Sequence, residues 1–174
     1  MTKQRILIIS QPHPPDPAAT GKYMEDVAHA LAAQGHMVEV FASRERLDKP
    51  SETYQSSIES GVRIRRLRFT SFGKRSIPIR ILGAVSFAFQ SLIVGVTRRR
   101  IDCVFVSTAP PTGAAVARIL ASIHRARMTY WIHDVNPDQA VALEVLPSNH
   151  LLVKIGRVIS RWVHGRADRI IVLD

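Results

Sequence analysis

Cysteine is nearly absent. The single Cys103 excludes an internal disulfide framework and any cysteine-based zinc cluster. Its setting in Cys103-Val104-Phe105-Val106 is that of a small buried hydrophobe. Acidic residues are few, 14 against 24 basic ones, which leaves a net charge of +10 at pH 7. Between Gly61 and Ile101 they are missing altogether. Ten basic residues stand there: Arg63, Arg65, Arg66, Arg68, Lys74, Arg75, Arg80, Arg98, Arg99 and Arg100. No secretory signal opens the chain, because Lys3 and Arg5 are followed by only four apolar residues before Ser10, Gln11 and a proline cluster. This points to a cytoplasmic location. No P-loop, no GxGxxG after the first apolar run and no nucleophile-elbow serine is present. His29, His36, His124, His150 and His164 are scattered without metal-ligand spacing. Neither a metal nor an organic cofactor is expected. The uncharged segment Ile81 to Thr97 has 17 residues, short of the roughly twenty that a membrane span needs.

What is present is a globular composition, 46% hydrophobic, in a chain long enough for one domain with a core. Nineteen of the 24 basic residues are arginine, whose planar fork suits phosphate. A phosphate-rich partner follows: nucleic acid, an anionic membrane surface or a phosphorylated substrate. The basic stretch carries few stacking aromatics and belongs to no familiar nucleic-acid fold, so nucleic acid is not expected. A basic nucleic-acid-binding module stays open as an alternative on charge alone.

Strand and helix patterns alternate along the chain. Arg5 to Ser10 reads as a buried strand. Thr20 can cap a helix in which Met24, Val27, Ala28, Leu31 and Ala32 recur at helical spacing up to Gly35. Met37 to Ala42 reads as a strand, Arg44 to Ser60 as a polar loop, and Val62 to Phe69 as a strand with basic residues on its exposed positions. A helix from about Ile79 to Arg100, a strand over Asp102 to Ser107, a helix over Thr112 to Ala126 and a strand over Met128 to His133 follow. Leu151 to Gly165 is amphipathic, with Leu152, Ile155, Ile159, Trp162 and Val163 as its expected buried face, and Asp168 to Leu173 is a last strand. Such alternation predicts right-handed crossovers and a mainly parallel, doubly wound Rossmann-like α/β sheet with helices on both faces. Ligands then bind beyond the carboxyl ends of the strands, which singles out the loops after Ser10, Ser107 and His133.

Those loops carry a family signature. Arg5-Ile-Leu-Ile-Ile-Ser-Gln-Pro-His-Pro-Pro-Asp-Pro-Ala-Ala-Thr-Gly21, Gly35-His36, Ser107-Thr-Ala-Pro-Pro-Thr-Gly113, Tyr130-Trp-Ile-His-Asp-Val-Asn-Pro-Asp-Gln-Ala-Val-Ala-Leu143 and Ala167-Asp-Arg-Ile-Ile-Val-Leu173 occur in order. Together they resemble the N-terminal domain of family-four glycosyltransferases, retaining enzymes of the GT-B type, and within them the branch that builds colanic acid, O-antigen and capsule. The resemblance implies an acceptor-binding domain over residues 1–174. It also implies a C-terminal domain, absent from this sequence, that binds the nucleotide-sugar donor through a Glu-x7-Glu motif. The 174-residue chain alone is therefore expected not to be a complete enzyme. A split-gene or non-catalytic subunit completed by a separate C-terminal half is the alternative.

Candidate residues follow from the loops, each beside a plainer reading. His133, ending a strand, stands where the resemblance places a histidine that contacts the reacting sugar; the plainer reading is a buried histidine with a backbone partner. Asp134 could accept a hydrogen bond from the acceptor hydroxyl. Asp138 could contact substrate or simply cap the helix after Pro137. Gly21, with Thr20 beside it, could let the backbone approach the donor diphosphate or merely relax a turn. His13 could touch the acceptor, although a loop histidine is more often solvated. Thr108 completes the substrate-contacting set, with turn chemistry beside Pro110-Pro111 as its alternative. The apolar helix beginning near Ile79 is expected to pack on the sheet. Its alternative is an interfacial role beside the basic cluster, for which a polyprenyl-diphosphate-linked acceptor at the inner face of the plasma membrane would supply a purpose.

Overall fold

A computed structural model describes residues 2–73, 76–133, 147 and 149–172. The sheet is seven-stranded among these residues. In chain order the elements are β1 (Arg5–Ile9), α1 (Ala19–Ala33), β2 (Met37–Ser43), β3 (Ser57–Glu59), β4 (Val62–Leu67), α2 (Ile77–Val96), β5 (Cys103–Ser107), α3 (Pro111–His124), β6 (Arg127–Ile132), α4 (Leu151–His164) and β7 (Arg169–Val172). The sheet order is β3-β4-β2-β1-β5-β6-β7. All pairings are parallel except β3 with β4. Without β3, the parallel strands taken in chain order lie 3-2-1-4-5-6, the Rossmann order, with its switch point between β1 and β5. The doubly wound α/β expectation holds.

Alternation along the strands divides the core. Leu7 and Ile9 join Phe41, Val104, Val106, Phe87 of α2 and Leu120 of α3 on one face. Ile6 and Ile8 join Val38, Val40, Ile64 and the α1 residues Met24 and Ala28 on the other. The run of β-branched residues in β1 is buried on both faces because helices cover both.

Several boundaries depart from expectation for identifiable reasons. The polar stretch after Arg44 holds β3, joined to β4 through Ser60 and Gly61, both at positive φ. Two such residues form the mirror-image turn that matches the twist of a hairpin. Strand β4 ends at Leu67, and the chain then turns through Phe69 at φ 55°. Helix α2 ends at Val96 rather than Arg100. Beyond it Arg98 is bound to Glu39 and Arg100 to Asp102. Thr20 does not cap α1: the N-cap is Ala18, without a side-chain cap bond, and Thr20 lies inside the first turn. Among the described side chains of α4 the buried ones are Val153 and Val163, while Ile155, Ile159 and Trp162 remain 39–45% exposed; the side chain of Leu152 lies outside the described set. Trp162 instead lies under the Arg118 guanidinium, 4.1 Å from its ring centroid. Cys103 is half-buried rather than buried, and desolvation pushes its thiol above its ordinary pKa.

Candidate functional site

The crevice is built where β1, β5 and β6 end. The loop after β1 is fixed almost entirely by its own chain. Ser10 Oγ donates to the Pro12 carbonyl at 2.7 Å, and the Asp16 carboxylate accepts the backbone N–H groups of Ala18 and Leu47. The Arg66 guanidinium donates to the carbonyls of His13 and Ser43 at 3.2 Å and to that of Pro14. Arg66 is thus a buried brace for this loop, lying over the Tyr54 ring. It does not belong to an exposed phosphate-binding surface, contrary to the sequence expectation. Strand parity carries the reason: Arg66 shares its face with the buried Val62 and Ile64, while Arg63 and Arg65 face the other way.

His13 is also corrected: it is 1% exposed, not solvated. Neither ring nitrogen has a hydrogen-bond partner among the described residues. Burial, seconded by the Arg66 charge, lowers its pKa to about 4, so the ring is neutral at physiological pH. Gly21 explains how the loop reaches this position. A Cβ there would lie 3.0 Å from the carbonyl carbon and oxygen of Pro12 and 3.1 Å from His13 Cα. The glycine's space is filled by the protein's own loop. Its close approach is backbone on backbone, and that packing, rather than a phosphate contact, is what requires glycine here. Gly21→Ala should therefore displace the loop at a cost of about 1–3 kcal/mol, read as a fall of several degrees in Tm. An unchanged melting curve would contradict this packing.

The ends of β5 and β6 are tied together. Thr108, buried, accepts the backbone N–H of His133 at 3.3 Å. The His133 imidazole forms a three-ring cluster with two aromatic side chains. Tyr23 of α1 stacks on it at 5.8 Å and 8° between planes, and Trp131 of β6 lies 4.4 Å away at 39°. Tyr23 and Trp131 were not apparent as site residues in the sequence. The signal was there for Trp131, which alternation places on the same side as His133 at the strand end. Thr108 and His133 are thus brought together, His13 and Gly21 form a separate packed unit, and Thr20 sits half-buried in the first turn of α1. Asp134 and Asp138 lie outside the described residues. Among the described residues, no group of three or more His, Cys, Asp or Glu side chains could hold a metal.

The basic residues divide into distinct places. Arg63, Arg98, Arg99 and Arg100 line, with Lys3 and Arg5, an open cavity of about 460 Å³. It lies at the amino ends of the strands, the opposite edge of the sheet from His133. Arg65 and Arg98 are engaged by Glu39, at 3.2 and 2.6 Å. Arg68 and Arg80 are exposed near the other end of α2, and Lys74 and Arg75 lie outside the described residues.

The mostly parallel seven-stranded sheet in Rossmann order, with helices on both faces, matches the fold of a GT-B glycosyltransferase domain. The chain belongs to the glycosyl transferase 4-like domain family, which it matches over residues 19–174. In three dimensions it is similar to the catalytic domain of starch synthase IV from Arabidopsis thaliana bound to ADP and acarbose. The TM-score is 0.59 at 13% identity, over 76% of this chain. The chain spans 34% of the length of that domain. Among curated proteins none matches the sequence.

Proposed function

We propose that this chain is the N-terminal, acceptor-side domain of a retaining glycosyltransferase in the branch that builds colanic acid, O-antigen and capsule. Its reaction transfers a sugar from a nucleotide-diphosphate donor, held by a second domain, to a polyprenyl-diphosphate-linked saccharide. Holding both substrates in register across a cleft supplies much of such a rate enhancement, so the 174 residues alone bind acceptor without turnover. The observation that carries the reading is His133 at the carboxyl end of β6, tied to Thr108 beside the switch point, in a glycosyl transferase 4-like domain. There an imidazole can donate to a sugar hydroxyl or stabilise charge near the anomeric carbon.

The location proposed is the cytoplasmic face of the plasma membrane, peripherally. Helix α2 supports this. It is long and apolar enough to cross a bilayer by length and composition. It nevertheless packs one stripe on the sheet, through Gly83, Phe87, Ser91 and Gly95, and turns Leu82, Val85, Phe89 and Ile93 outward. Such a helix lies along an interface, and arginines near both of its ends suit anionic head groups. Co-sedimentation with anionic vesicles at low and moderate salt tests it. Binding that weakens with salt, and strengthens when polyprenyl-diphosphate-linked sugar is added, is the expected result. A folded chain that sediments with neither vesicle would defeat the membrane-acceptor reading.

A further inference from the structure

Two aromatic side chains, Tyr23 and Trp131, lie against His133. Tyr23 projects from the first turns of α1, 48% exposed. Its ring is nearly parallel to the imidazole, and Trp131 closes the group 6.2 Å from Tyr23. Phe105, buried at 7% exposure, meets Trp131 edge-on at 6.3 Å and backs it from beneath. The indole Nε1 is buried and has no hydrogen-bond acceptor among the described residues. A partly exposed aromatic wall, braced from below and edged by the half-buried His133 imidazole, is amphiphilic in a particular way. A flat apolar face adjoins donors and acceptors at its rim.

A pyranose ring has the matching surface: axial C–H bonds make one face apolar, while hydroxyls radiate from its edge. An acyl or polyprenyl chain matches only the ring faces and leaves the rim unused. Hence we propose that Tyr23 and Trp131 form a stacking platform for a sugar ring of the acceptor, with His133 at its edge. Tyr23 supplies the exposed ring face, and Trp131 supplies a second, partly exposed face. The platform rests on the acceptor-domain reading and adds to it which part of the acceptor is recognised: the saccharide, separately from the lipid diphosphate.

The test uses the 174-residue chain carrying Trp162→Phe, so that Trp131 is its sole tryptophan. Neutral phosphatidylcholine vesicles carry polyprenyl diphosphate bare, or linked to glucose, galactose or N-acetylglucosamine. At least one sugar-bearing lipid should bind more tightly than the bare lipid and shift Trp131 emission saturably. Tyr23→Ala should weaken that binding by about five- to tenfold, the worth of one aromatic contact, and leave bare-lipid binding unchanged. Tyr23→Phe should restore it, because the ring face rather than the hydroxyl is used. A thermal melt confirms that each variant is folded. Tighter binding of a sugar-bearing lipid with silent Trp131 emission and an unaffected Tyr23→Ala variant overturns the platform and leaves the acceptor reading standing. Equal binding of bare and sugar-bearing lipids overturns both.

Discussion

Phe87→Ala should cost about 3–5 kcal/mol of stability and lower Tm by roughly 10 °C. Phe89→Ala, two residues along the same helix, should stay within about 0.5 kcal/mol. Phe87 is fully buried in the cluster that contains Leu7, Phe41, Leu67 and Leu120. It is the one bulky side chain on the contact stripe of α2. The glycines on either side of it let the helix come close: a Cβ on Gly83 would lie 2.9 Å from the Thr70 carbonyl oxygen, and one on Gly95 would strike the Leu120 methyls. A helix seated that tightly cannot sink further to fill the space a truncated Phe87 leaves, so transfer and cavity costs add. Phe89 is 63% exposed and gives up little on truncation. Urea unfolding of the two variants checks the contrast, and vesicle binding sharpens it. Phe89→Ala should lose affinity for anionic vesicles while keeping its stability, and Phe87→Ala, assayed well below its Tm, should do the reverse. Equal destabilisation by both variants would mean that α2 is buried all round, which its exposed residues contradict.

The two-sidedness of α2 also marks how far the sequence can be read. Elements set by local patterns were legible. The apolar runs of β1, β2, β5 and β6 need no distant information, and alternating strands and helices leave few topologies. The three-residue β3 was not legible, because Ser57-Ile58-Glu59 is too short for a period of two to announce a strand. In α4 the helical spacing singles out Ile155, Ile159, Trp162 and Val163; Val163 is covered as expected, but Val153 is covered in place of the other three. Composition says that a helix is amphipathic, and its neighbours decide which apolar residues they reach. The position of His133 beside the end of β6 was legible, because a strand end announces itself. His13 was not. Its burial depends on Gly21, eight residues on, and Arg66, 53 residues on, and nothing within the loop encodes either contact. Arg66 was hidden differently: its charge suggested exposure, whereas its parity with Val62 and Ile64 already placed it inward. The purely electrostatic reading of the basic run failed at the one residue where the backbone carbonyls of another loop were waiting to accept it.

That same brace makes the chain sensitive to acid in a window set by one histidine. His13 has a folded pKa of about 4 against an ordinary 6.5, lowered first by burial and then by the Arg66 charge. Its neutral form is the one that the fold accommodates. Below pH 6.5 the unfolded chain takes up a proton that the folded chain refuses until about pH 4, so the unfolded state binds more protons and stability falls as pH falls. The contribution is complete above 6.5, is reduced by about 2–3 kcal/mol at pH 4.5, and is lost by about 3 kcal/mol below pH 4. Carboxylates act lower on the scale. Backbone N–H groups of Arg5 and Met128 hold Asp102 and Asp168 below the usual carboxylate range, so their stabilisation fades only beneath the histidine window. His13→Leu separates the two. Neither ring nitrogen is hydrogen-bonded to a described residue, so an apolar side chain of similar size forfeits no bond, and stability at pH 7 should change by less than about 1.5 kcal/mol. Urea unfolding at pH 7 and pH 4.5 gives the comparison: the parent should lose about 2–3 kcal/mol more between these pH values than His13→Leu does. Equal losses in the two proteins would show that His13 takes up its proton in the folded state as readily as in the unfolded one. The packing of the loop against Gly21 and Arg66 would then have to be looser than the contacts described here.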